Sequence, residues 1–187
     1  MNISEKSESI RAGLRKGFQD GTSKTAQRKC YGYDVGADSA LVVNPNEVSV
    51  VRWIFDCYLS GDSLGKIAAG LEAQSVQSPT GKPKWSREAT SKLISNEKYT
   101  GRVLLQKTIS AGGAQIKNDG FMERYLYSDS HEAIISDEIF RNAQQKKLQR
   151  TNQQKNLPFN YSFDSTKLSN VCSKETFAST LKSHTLH

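Results

Sequence analysis

Val42-Val43-Asn44-Pro45-Asn46-Glu47, running on into Val48, Val51, Ile54, Phe55 and Tyr58, is the stretch whose reading decides the fold. Asn44 can cap a helix. Proline suits the first helical position, where its missing N–H would have had no partner, and Glu47 can reach back to complete a capping box. The apolar residues that follow recur at spacings of three and four, which places them on one helical face, and Ser60-Gly61 supplies a stop. A second helix is expected at once, capped by Ser63, with Leu64, Ile67, Ala68 and Leu71 as its apolar stripe. Its small residues Gly65, Ala68, Ala69 and Gly70 would let another helix approach closely. After a loop from Gln74 to Lys84, with Ser78-Pro79-Thr80-Gly81 as a turn signal, Trp85 and a capping Ser86 open a third helix whose Ala89, Leu93 and Ile94 face inward. Two short helices joined by a turn are the ingredients of a helix-turn-helix. The connection here is longer than the usual three or four residues, so the arrangement is a variant.

Upstream, Tyr31 to Val43 reads as a turn with short extended pieces. Ile3, Ile10, Leu14 and Phe18 lie at spacings of seven and four, one face of a helix that would be marginal without a partner surface. Between them, Thr22 to Lys29 is polar, basic and without apolar period, and reads as a linker. Downstream, Arg102 to Ile109 is rich in strand formers, and Ala111-Gly112-Gly113 is a turn that would return a strand through Gln115 to Lys117. Glu123 to Tyr127 can add another strand. Ser136 caps a last helix, with Asp137 and Glu138 favourable in its first turn and with Ile139, Phe140, Ala143 and Leu148 as its buried face. Residues 151–187 carry little periodicity and are expected to form a poorly ordered or truncated tail. The fold class is α+β and mostly helical: a helix-turn-helix-like domain over residues 31–150 with a small β-hairpin region, preceded by a helix over 1–21 and a basic linker over 22–30.

The chain has 187 residues and a net charge of +7. That excess suits a polyanion, because Lys and Arg displace counterions from phosphates; it suits plain solubility equally. The charge is unevenly spread: Arg141, Lys146, Lys147, Arg150 and Lys155 follow one another with no acidic residue between Ile139 and Phe163. The three cysteines, Cys30, Cys57 and Cys172, stand far apart and form no Cys-x-x-Cys. This argues against a zinc site or a disulfide framework and fits a reducing cytoplasm. No apolar run reaches membrane-spanning length. No metal site, cofactor or small-molecule substrate is read from the sequence. Of the three histidines only His131 is internal to the patterned region, and with no placed nucleophile it makes no triad. It reads as a structural or surface residue, and the chain as no enzyme by itself.

The binding residues are better defined. Ser91 and Lys92, with Glu88 and Ser95, lie away from the inward face of the third helix, and Arg87 flanks them. Short polar groups and long cations on such a face can reach base edges and phosphates; the same face reads equally as a solvated surface. Lys82 and Lys84 precede it, beside a Trp85 that reads as a core anchor. In the linker, Lys24, Arg28 and Lys29 suit either an arm that follows a minor groove or a simple tether.

Four segments in order, Tyr31-Gly32-Tyr33-Asp34; Val42 to Glu47 leading to Val51-Arg52-Trp53-Ile54-Phe55; Trp85 with Leu93-Ile94-Ser95-Asn96-Glu97-Lys98-Tyr99-Thr100-Gly101; and His131-Glu132-Ala133-Ile134-Ile135-Ser136, carry a resemblance. The chain resembles the recombinase domain of large serine recombinases, the phage integrase and conjugative-transposon type, over roughly residues 4–150. The resemblance implies a catalytic serine domain before Met1, whose long helix would end in residues 5–18, and a linker that crosses DNA. It also implies a groove-reading helix starting at Ser86. The family continues into a zinc ribbon with paired cysteines, and this sequence departs there: Cys172 has no partner. The partners implied are double-stranded attachment-site DNA and other recombinase subunits. Two rival readings remain, an interaction module pairing through its N-terminal helix and a helix-turn-helix transcriptional regulator.

Overall fold

The computed structural model describes residues 3–37, 39–111 and 113–155. Of the tail expected over 151–187, residues 151–155 instead continue the last helix, and the remainder, with Cys172, lies outside the described residues. The fold is α+β, with five helices and three two-stranded antiparallel sheets among the described residues. The described residues divide into two compact units, one built from those up to 44 and those of 97–134, the other from 45–96 and 135–155.

The second unit is a helical bundle around α2 (Val48–Ser60), with α3 (Leu64–Ala73), α4 (Arg87–Ile94) and α5 (Asp137–Lys155) packed about it. Val51, Ile54, Phe55 and Tyr58 are buried as their spacing requires, and Val50, Trp53 and Cys57 are buried as well. A helix contacted by three others keeps only a narrow solvent face, here Arg52, Asp56 and Ser60. Gly61, at φ +116°, ends α2: its N–H donates to the Tyr58 carbonyl and that of Asp62 to Cys57 O, an arrangement open to glycine because it lacks a Cβ. The start of α2 differs from the sequence reading. Asn44 does not cap it. The Asn44 N–H is bonded back to Gly32 O, Pro45 to Glu47 form a turn, and Glu47 stands at the N-cap with no side-chain bond to the helix. Closing a β-hairpin on Gly32 thus shifts the helix start along the chain. Ser63 caps α3 as expected, accepting from Lys66 N. The small residues of α3 do admit neighbours: a Cβ on Gly70 would lie 3.0 Å from the Trp53 ring.

Helix α5 buries Ala143 completely and leaves Leu148 65% exposed, against expectation. Its contacts are mostly polar. Lys146 Nζ donates to Leu59 O, Arg150 to Gly61 O and Asp62 O, and Gln144 to Ile94 O. These are carbonyls at the C-terminal ends of α2 and α4, which have no partner within their own helices. Arg150 also lies over the Tyr58 ring at 4.6 Å. Two cations of the basic run, Lys146 and Arg150, are therefore fastened to the bundle.

The first unit contains α1 (Ile3–Gln19), the hairpin β1 (Tyr33–Val35)–β2 (Leu41–Val43), a 3₁₀ turn over Glu97–Thr100, and two further sheets. β3 (Val103–Leu105) pairs with β6 (Tyr125–Tyr127), and β4 (Thr108–Ala111) with β5 (Ala114–Lys117). The single strand expected from Arg102 to Ile109 is broken at Gln106, whose φ is +59°. The break is held by Asn118, fully buried, whose amide donates to Gln106 O and Met122 O while its oxygen accepts from Gly120 N and Met122 N.

The 3₁₀ turn is the centre of this unit. Lys98 is only 8% exposed, and its ammonium donates to the carbonyls of Thr25, Ala26 and Arg28 at 3.3, 2.9 and 2.8 Å. Its own carbonyl accepts from Tyr33 OH at 3.2 Å and His131 Nε2 at 2.6 Å. Tyr99 OH donates to Tyr31 O. Gly101, at φ +75°, leaves no room for a side chain, since a Cβ would fall 2.7 Å from His131 O. Residues 22–30 are consequently a pinned, turn-containing segment, not a free tether.

Two outcomes follow from this unit. In Lys98→Met the Thr25, Ala26 and Arg28 carbonyls lose a charged donor, and bonds of that kind are worth about 1.5–3 kcal/mol each. Trypsin is expected to cleave after Arg28 and Lys29 several-fold faster than in the wild type; unchanged cleavage would show that the segment is held by other means. His131 gives a pH dependence. Burial holds its pKa below the usual 6.5, and the Lys98 ammonium adds to this against the pull of the carbonyl bond. A folded pKa lower than the unfolded one gives stability that is present above pH 6.5 and lost as pH falls through the folded value. Urea midpoints measured from pH about 7.5 to about 5 are expected to fall for the wild type and to fall less for His131→Gln.

Candidate nucleic-acid interface

Helix α4 is positioned from both ends. Trp85, 2% exposed, donates through its backbone N–H to Glu72 Oε1 and through Nε1 to Val76 O. It fixes the loop that precedes the helix. Ser86 takes an extended conformation, and its Oγ accepts from Ala89 N at 3.0 Å, as read from the sequence. At the other end Ile94 O and Ser95 Oγ are held by Gln144 and Lys147. The inward face is Thr90, Leu93 and Ile94. Ala89, expected to be inward, is half-buried, and Thr90 takes the place turned to the core. Its hydroxyl is satisfied by Ser86 O, so a polar residue is buried without an unpaired group. A reading based on apolar spacing alone misses this.

Facing away from that core, Arg87, Glu88 and Lys92 are exposed and Ser91 is half-buried. Lys92 pairs with Glu88 at 2.7 Å one turn away, with both side chains about three-quarters exposed. The Lys92 hydrogen bond holds the Glu88 carboxyl below its ordinary pKa. Such a pair is weak in water and gives way to a better anion at little cost. The stem of Arg87 passes over Gly65, where a Cβ would meet its Cδ at 3.6 Å. Lys82 and Lys84 are exposed in the loop, which is closed by Ser78 N to Lys82 O and Lys82 N to Ser78 Oγ. Lys82, Lys84 and Arg87 have no ion-pair partner among the described residues. Lys82, Lys84, Arg87, Ser91 and Lys92 therefore come together on one stretch of the helical unit.

Lys24, Arg28 and Lys29 form a separate set in the other unit. All are exposed, and Lys29 is paired with Asp34 at 2.6 Å. Their backbone is fixed by Lys98, the residue the sequence reading missed. Its signal was present in the run Asn96-Glu97-Lys98-Tyr99-Thr100-Gly101, but nothing local says that a lysine there turns inward. His131 takes the structural role: it meets the Tyr33 ring edge-on at 4.8 Å. Among the described residues no group of His, Cys, Asp and Glu is arranged to hold a metal ion, and no helix is long and apolar enough to cross a membrane.

A family model described as Recombinase matches residues 45–150, more than half of the chain. The chain belongs to the Recombinase family. The resemblance to the recombinase domain of large serine recombinases, read from the order of its motifs, is thereby shown. The match covers that domain, not a catalytic one. Two solved structures are similar to this Recombinase chain. One, described as "Crystal Structure of a LSR-DNA Complex", is 22% identical with a TM-score of 0.49, over 76% of this chain and 38% of that one. The other, "Sequence Requirements of the Listeria innocua prophage attP site", is 22% identical with a TM-score of 0.48, over 75% of this chain and 51% of that one. The chain thus spans between about two fifths and half of the solved chains it matches.

The two basic sets should behave differently toward DNA. If Arg87 reads a base edge, Arg87→Ala is expected to cost roughly 1–3 kcal/mol on a selected site and much less on scrambled duplex. The double variant Arg28→Ala/Lys29→Ala should weaken both duplexes alike. Equal losses for Arg87→Ala on the two duplexes would assign α4 to phosphate contact only.

Proposed function

We propose that this chain is the DNA-binding portion of a site-specific serine recombinase, that it binds double-stranded attachment-site DNA, and that it cuts no strand by itself. The observation that carries the reading is the set of exposed, unpaired cations Lys82, Lys84 and Arg87 on and before α4, a helix fixed at both ends. Membership of the Recombinase family supports it. Rigid presentation matters because a side chain already held in place loses less entropy on binding. Lys24, Arg28 and Lys29 are proposed as sequence-independent contacts to the backbone of the same duplex. Phosphate contact needs no cofactor, and none is proposed.

A second reading has its own observation. On α1, Ile10 is 58% and Leu14 55% exposed, an apolar face of a kind that pairs with another recombinase subunit.

Titration of a labelled duplex at rising salt tests the first reading. Log affinity should fall linearly with log salt, with a slope of about −0.9 per phosphate contact. The slope should become shallower when Lys82 and Lys84 are replaced by Gln. Absence of binding at low salt would overturn the DNA reading and leave the subunit-pairing one. Supercoiled plasmid incubated with the chain should stay supercoiled, and a serine-linked protein–DNA adduct would overturn the non-cutting part.

A further inference from the structure

The first unit contains a cleft of about 670 Å³ between α1, the pinned segment and the β3–β4 region. Its lining includes the cations Arg11, Arg15 and Arg28 and the apolar side chains Leu14, Phe18 and Ile109. None of the three arginines has an ion-pair partner among the described residues. No acidic residue lines the cleft, and Lys107, the other cation at its edge, is paired with Glu97 at 2.6 Å.

We propose that this cleft is a docking site for a partner protein, through a segment in which carboxylates alternate with apolar side chains. Charge complementarity selects the acidic part: a guanidinium donates two parallel hydrogen bonds to a carboxylate, and three arginines without ion-pair partners around one concavity favour several carboxylates on one segment. The apolar lining selects the apolar part. Leu14 is more than half exposed, and apolar side chains beside cations gain from being covered by side chains that also exclude water. Duplex DNA satisfies only the cations, because its surface is a convex array of phosphates and its interfaces are markedly polar. The proposal does not rest on the DNA reading and concerns residues of α1 outside the proposed DNA contacts, apart from Arg28, which the test leaves intact.

The probe is a short fluorescein-labelled peptide of alternating Asp or Glu and Leu or Phe, measured by anisotropy against the full chain. Two control peptides carry Asn and Gln for the acids, or Ser for the apolar residues. Binding of the first peptide is expected, with about a tenfold or greater loss for either control and for Arg11→Gln/Arg15→Gln, and a smaller loss for Leu14→Ser. These side chains lie on an exposed helix face, so the fold should persist, checked by circular dichroism melting. The affinity of the double variant for duplex DNA should be unchanged. The proposal is overturned by absence of peptide binding. It is also overturned if the Ser control binds as tightly as the parent peptide. Loss of duplex affinity with unchanged peptide binding in Arg11→Gln/Arg15→Gln would assign the cleft to nucleic acid instead. Self-association at the concentrations used, abolished by Leu14→Ser and blocking the peptide, would give the face to a second copy of the chain and overturn the partner-segment reading.

Discussion

The ammonium of Lys98 is the constraint on which the first unit depends. A buried cation is unfavourable unless its donors are fully used, and here they are used on the carbonyls of Thr25, Ala26 and Arg28. Burial lowers the lysine's affinity for its proton, and the three carbonyls are what make the charged form tolerable. The same residue's carbonyl ties the Tyr33 phenol and the His131 ring, so one position joins the pinned segment, the β1–β2 hairpin and the stretch before Ile134. Because a carbonyl can only accept, Nε2 of His131 must carry the proton. Tyr33, fully buried, donates to Glu132 O as well, and burial pushes its pKa up so that the phenol remains a donor. Because Lys98 O is shared by the phenol and the imidazole, the groups form one network, and their contributions are not separable pair by pair.

The elements legible in the sequence are those decided by local chemistry. Ser63, Ser86 and Ser136 cap their helices through the hydroxyl as their spacing indicates, and Gly61 closes α2. The chain does reverse between β4 and β5, whose strands pair antiparallel. What was not legible is non-local. The start of α2 is set by a bond from Asn44 to Gly32, residues that sequence spacing does not relate. The inward Thr90 is paid for by a hydroxyl bond that apolar periodicity cannot see. Lys98 and Asn118 are polar residues that local reading sends to the surface; each is buried because distant carbonyls converge on it.

The basic run after Ile139 shows the limits of counting charge. Lys146, Lys147 and Arg150 read as part of an unpaired cationic segment. In the bundle, Lys146 and Arg150 satisfy the last carbonyls of α2 and the turn after it, and Lys147 meets Ser95 at the end of α4. Cations at helix C-termini are favourable both as hydrogen-bond donors and against the helix dipole. Arg150 also covers the Tyr58 ring, so α5 is held to the bundle by these polar contacts with few buried apolar side chains of its own. The net charge of +7 therefore overstates what is available to a polyanion.

What remains available is the more informative part. Once the cations committed to capping and to ion pairs are set aside, those left on the helical unit include Lys82, Lys84 and Arg87, on or beside one helix. The anchors of that helix are Trp85 at its start and Gln144 and Lys147 at its end, none of which lies on the exposed face. Position and chemistry are thus supplied by different residues. The face can therefore change its side chains without loss of the packing that holds it, because no exposed residue of α4 is among its anchors.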